Sequence, residues 1–148
     1  MSTDAGPDRL SIVVFSPGFD KVHYALVMAA AAAATDTPAT LFFTMEAIRA
    51  LEKPADDGTP AWRQMPAGPA AVAAGGEMDD DFQARGVATF EELLQSCVAL
   101  KVRFMVCEMG LRALGLEKEA LRGDVPVEAG GVVTFLKDAS PDGATFFI

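Results

Sequence analysis

Residues 89–107 read TFEELLQSCVALKVRFMVC, and this stretch decides the fold. Thr89 and Glu92 have the spacing of a capping box, so a helix starts at Thr89. The apolar run KVRFMVC follows it as a strand that ends on Cys107. A helix feeding a strand without polar alternation is a unit of a parallel sheet covered on both faces.

The same rhythm extends outward. Upstream, LSIVVF (10–15) is a short, β-branched, apolar strand broken at once by Ser16-Pro17-Gly18. Asp20 stands as N-cap of an alanine-rich helix over about 20–34, with Pro38 beyond its end. ATLFFT (39–44) is a second continuous strand, and MEAIRALEK after it has helical spacing of Met45, Ile48 and Leu51. Downstream, EMGLRALGLEKEAL is helical with a break at Gly115, and VPVEAGG returns as a short strand at Val125–Val127. Gly130-Gly131 opens a last helix, VVTFLKDAS, and ATFFI closes as a strand. The expectation is an α/β fold: one domain over 1–148, three layers α/β/α, around a mostly parallel sheet of about five strands.

One segment breaks the pattern. Residues 52–87 hold four prolines, five glycines and the acidic run Asp79–Asp81, and read as a long loop excursion. The helix from Thr89 must run back down the sheet before strand three, so the excursion ends at the carboxyl edge and is placed to cover it.

Composition narrows the function classes. Twelve basic against twenty-one acidic side chains give a net charge of −9, which repels a phosphate backbone, so no nucleic acid is expected. The longest apolar stretch, Tyr24–Ala34, is about 16 Å long as a helix, roughly half a bilayer core, so no membrane span is expected. MSTDAGPDRL lacks the basic start and apolar core of an export signal. Two cysteines are too few for a disulfide framework, which fits a reducing cytoplasm. Phosphate-loop and dinucleotide fingerprints are absent, and two cysteines with one histidine do not make a structural zinc site, so no cofactor and no metal are expected.

Chemistry in an open α/β sheet sits outside the carboxyl ends of the strands, and Cys107 occupies such an end, at a helix start that favours thiolate. Two readings of it stand: a nucleophile, or a small apolar residue finishing a buried strand. The neighbouring Glu108 carboxylate opposes thiolate formation. Cys97 lies near the other end of strand three, on the order of 10 Å from Cys107 along the sheet, beyond disulfide reach, and reads as core packing. His23, the only histidine, shares the carboxyl edge; it is either a partner that activates Cys107 or a partly exposed polar side chain. Gly130-Gly131 reads as a tight turn, with an anion nest as the alternative.

FSPGFDKVHYALVMAAAAAATDTPATLFFTMEAIRAL and FEELLQSCVALKVRFMVCEMGLRALGLEKEALRGDVPVEAGGVVTFL together resemble the DsrE/DsrF/DsrH-like superfamily, especially its DsrE-like members, some labelled peroxiredoxin-family. The second stretch carries the more specific features: a strand ending in Cys, a C-x-M helix, a Gly-Leu step and a Gly-Gly before the last helix. The resemblance implies a persulfide-carrying sulfur relay in which Cys107 alone matches the sulfur-carrying position. It also implies sulfur donor and acceptor proteins as partners and a homo-oligomer, trimer or hexamer. No peroxidatic Cys motif accompanies it. The alternative is a non-catalytic, oligomeric small-ligand-binding module whose carboxyl-edge pocket is roofed by Trp62, Met65 and Met78. Helix one, apolar nearly all round after His23, is expected in or beside the subunit interface.

Overall fold

The computed structural model describes residues 6–68 and 73–148; the first five residues and residues 69–72 of the excursion lie outside the described part. Five strands, β1 (Leu10–Val14), β2 (Ala39–Phe43), β3 (Arg103–Cys107), β4 (Val127–Gly130) and β5 (Ala144–Phe147), form one sheet in the order β4-β3-β2-β1-β5. Every pairing is parallel. This is the expected α/β architecture.

The helices are α1 (Phe19–Ala34), α2 (Gly75–Ala84), α3 (Phe90–Ala99), α4 (Glu108–Leu114) and α5 (Val132–Asp138), with 3-10 segments at Met45–Leu51, Ala61–Gln64 and Lys118–Ala120. Crossovers between parallel strands keep one hand. From β1 to β4 the chain steps the same way across the sheet, so α1, α3 and α4 pack on one face. There Ile12, Val14, Leu41, Phe43, Phe104 and Val106 meet Leu26, Leu94 and Leu111 in the main core. α5 carries the chain back from β4 to the far side of β1, and it lies on the other face. A smaller core forms there from Phe42, Met105, Cys107 and Phe135.

The two faces are covered unequally. α5 has seven residues and buries only Phe135, which stacks on Phe42 with ring centroids 4.9 Å apart. Burying one phenylalanine is worth roughly 1.5–3 kcal/mol, and a helix of two turns has no stability of its own. On the β1–β5 half of this face, Val13 is half-buried, while its register partner Phe147 is 70% exposed beside exposed Phe15.

Several expected boundaries shift for physical reasons. The fourth strand begins at Val127, not Val125, because Pro126 has no amide proton to enter the ladder, and Val125 is buried as part of the approach to the strand. Gly18, not Asp20, caps α1; the Asp20 carboxylate takes the Lys21 amide at 2.8 Å. The first α1 amides, of Phe19 and Asp20, donate to Pro66 and Ala67 carbonyls of the excursion. MEAIRAL is a 3-10 segment, burying Ala47, Ile48, Ala50 and Leu51. Gly115 ends α4 in the left-handed conformation, φ 69°, as expected of a break there.

The excursion is more ordered than a loop. Its α2, GGEMDDDFQA, was hidden by two glycines and three aspartates. Gly75 is required by close approach, since a Cβ there would stand 2.8 Å from the Phe19 Cβ. Asp79, the first residue of the acidic run, is buried, and its carboxylate accepts the Phe90 amide at 2.7 Å. Thr89 caps α3 by accepting the Glu92 amide at 3.3 Å, one half of the expected box.

Candidate functional site

The site follows from the topology. After β3 the chain enters α4 on the α1/α3 side, while after β4 it enters α5 on the other side. Where neighbouring strands send their connections to opposite faces, a crevice opens at their carboxyl ends, and that is where open α/β sheets bind and react. Here that position is the carboxyl ends of β3 and β4. The register pairs Cys107 with Gly130 there.

Cys107 is therefore the last residue of β3 and the N-cap of α4. Alternation along the strand sends Arg103, Met105 and Cys107 toward α5, and Phe104 and Val106 toward the main core. Cys107 as a residue is only 3% exposed, packed with Phe42, Met105 and Phe135. Gly130 keeps this corner open, because a Cβ there would press on the Met105 Cε at 3.3 Å. Gly131 is the N-cap of α5, with no side-chain hydrogen bond at that cap. Glu108 and Met109 are exposed at the rim. Gly110 lets α4 settle on the turn after β2, where a Cβ would stand 2.8 Å from the Met45 amide nitrogen. Met45 itself holds φ 51°, a left-handed conformation that costs a side-chain-bearing residue on the order of 1 kcal/mol.

Of the expected supporting residues, Gly130 and Gly131 join Cys107 and Glu108 flanks it. His23 does not join it. Its ring lies on the α1/α3 side of the sheet, against Phe19 and Phe82, and the Nε2–H donates to the Ala88 carbonyl at 2.9 Å. Side-chain alternation puts it on the opposite face from the Cys107 thiol, so a Cys–His pair is excluded in this arrangement. The histidine is a buried polar group tying α1 to the lead of α3.

Cys97 is also on the opposite face. It is fully buried, its thiol donates to the Leu26 carbonyl at 3.5 Å, and burial pushes it up to about 12. Both cysteines are free. Core packing is thus the role of Cys97.

The excursion covers the carboxyl edge in part. Residues 55–66 and the 45–53 segment enclose a cavity of about 380 Å³ with Pro17. Its walls include Pro60, Met65 and Pro66, with Glu46, Arg49, Glu52 and Lys53 at the polar side, and Cys107 is not among its lining residues. Of the three expected roof residues only Met65 lines it. Trp62 instead stacks on Phe90 at 4.6 Å and donates through Nε1 to Glu91 at 2.6 Å, and Met78 packs on the main core. Composition alone had no means of separating the roof from the packing residues.

The comparisons with known proteins bear on the fold and the family. The protein YrkE of Bacillus subtilis (strain 168) is 28% identical over 159 aligned residues, spanning 95% of this chain and 96% of that protein. The crystal structure of YchN from E. coli superposes with a TM-score of 0.57 at 15% identity, over 94% of this chain and 97% of that one. MTH1491 from Methanobacterium thermoautotrophicum, a protein of unknown function, superposes with a TM-score of 0.53 at 12% identity, over 95% and 98%. At these identities the two structures speak to the fold alone. The model of the DsrE/DsrF/DrsH-like family matches residues 7–147, nearly the whole described chain, and this chain belongs to that family.

Proposed function

We propose that this protein is a sulfur-transfer protein that carries sulfur as a persulfide on Cys107. The observation that carries the reading is the place of Cys107 at the carboxyl ends of β3 and β4, paired with a glycine and set at the head of α4. Membership in a family of the sulfur-relay type supports it. The Cys107 thiolate attacks the outer sulfur of a donor persulfide R–S–S–H. The new bond joins Cys107 to that sulfur, the S–S bond of the donor breaks, and R–S⁻ leaves; the proton stays on the transferred sulfur. The reverse attack by an acceptor thiolate unloads it. No redox partner or cofactor enters either step. Donor and acceptor are other polypeptides, and the reaction belongs in a reducing cytoplasm where both cysteines stay free.

Incubation with a low-molecular-weight persulfide followed by intact mass measurement adds about 32 Da per chain, one sulfur atom, and adds nothing to Cys107→Ser. Equal loading of that variant contradicts the assignment. A second reading is favoured by the 380 Å³ cavity: a binding module without turnover. In that case the wild-type chain takes up no sulfur in the same experiment, and native mass spectrometry shows a retained small molecule.

A further inference from the structure

We infer that α5 is the gate of Cys107 and that the thiol is reached when the α5 end nearest it swings off the sheet, carrying Phe135 away from Phe42. The inference rests on the proposed sulfur-carrying role of Cys107 and concerns how that site is controlled. A thiolate must meet its donor sulfur along an open line, yet Cys107 is almost wholly covered. What covers it from the α5 side is Phe135, the one side chain by which α5 is buried.

The two ends of α5 are held differently. At the far end Asp138 is clamped by the Arg103 guanidinium at 2.8 Å, by the Thr40 hydroxyl at 2.9 Å and by Arg9 at 3.6 Å. At the near end the helix hangs from Gly130-Gly131, and its N-cap makes no side-chain hydrogen bond. Val132, Val133 and Leu136 are exposed, so among the described residues nothing presses the helix down from outside. The clamp at Asp138 and the glycine pair next to Cys107 define a lever whose loose end is at the thiol. On the opposite face α1 and α3 are buried along several turns each. Local opening is drawn from segments with few buried apolar contacts, and α5 is such a segment.

Alkylation by iodoacetamide at fixed pH, read peptide by peptide, tests this, with Cys97 in the same sample as the reporter of global unfolding. Phe135→Ala raises the Cys107 rate about tenfold while Cys97 stays unreactive. Gly131→Ala stiffens the hinge; its added methyl meets no atom within 4 Å and the local φ is −102°, and it slows Cys107 about twofold. Cys107 rates unchanged in both variants overturn the gate. If Phe135→Ala unfolds the chain, Cys97 rises in step with Cys107, and an unchanged or faster rate in Gly131→Ala then overturns it. Should alkylation respond as described while persulfide uptake fails, the gate stands and the sulfur-transfer reading falls.

Discussion

Asp79 shows how a single residue can be missed and still be tested. It sits in a run of three aspartates that reads as solvated loop, and it is buried, with its carboxylate on the Phe90 amide at the start of α3. Burial raises its pKa above the ordinary 3.8, against the lowering effect of the Phe90 hydrogen bond. A carboxyl group whose folded pKa is raised binds protons more tightly in the folded chain. Its contribution to stability therefore falls as pH climbs from 3.8 through the folded value. Asp79→Asn, which retains the acceptor oxygen, removes that decline, and urea titrations of the two proteins from pH 4 to 7 diverge in favour of the variant. Asp79→Ala, which also deletes the acceptor, costs about 1 kcal/mol. Cys107 and Cys97, by contrast, were legible as residues, because strand ends and helix interiors follow from apolar runs and caps. What the sequence did not disclose was the face each side chain takes, and that is what separates His23 from Cys107.

At the scale of elements, apolar periodicity foretold each strand and four of the five helices, and α2 alone was lost. Its apolar core-packing residues, Met78 and Phe82, are spaced at i and i+4, but Gly75-Gly76 and the aspartates of the helix masked it. A polar clamp at Glu91 helps to hold the excursion through Trp62. The Arg122 guanidinium, itself nearly buried, grips Glu91 at 2.7 and 2.8 Å and Asp124 at 2.7 and 2.8 Å, and Glu91 in turn accepts the Trp62 indole. Burial pushes Glu91 up, but the hydrogen bonds from Arg122 and Trp62 outweigh it and hold its pKa below the ordinary 4.5. That stabilisation is present above pH 4.5 and is lost as pH falls through the depressed value. Arg122→Ala leaves Glu91 without its cation and costs about 2 kcal/mol, less than a fully buried pair because Glu91 is partly exposed. Trp62 is the only tryptophan, so its emission shifts to the red in the variant as the excursion loosens; an unshifted spectrum contradicts the clamp.

For the whole molecule, the order of strands determines which face each helix covers and where the carboxyl-edge site lies. That order depends on which strands pair, a long-range choice that local patterns do not encode, and so the sheet was legible as a class and not as a topology. The expected interface at α1 rested on a helix without a polar side. Its inward row, Phe19 to Ala29, is buried by the sheet and α3, and Tyr24 is the one large apolar side chain it exposes. Exposed apolar side chains collect instead on the Cys107 face: Val132, Val133 and Leu136 on α5, then Phe15 and Phe147. A homo-oligomer built on that face would bring the Cys107 sites beside the subunit boundary. Sedimentation equilibrium at micromolar concentration is expected to give a multiple of 15.6 kDa, and Val133→Glu with Phe147→Glu is expected to shift the mass toward the monomer. A wild-type mass that stays at 15.6 kDa sinks the assembly.

The most direct test of the central claim is to find the sulfur. After loading wild-type protein with a small persulfide, the persulfides are trapped by alkylation, and the peptides bearing Cys97 and Cys107 are read separately by mass spectrometry. The added sulfur is predicted on the Cys107 peptide and not on the Cys97 peptide. Sulfur on Cys97, or on neither, contradicts the account.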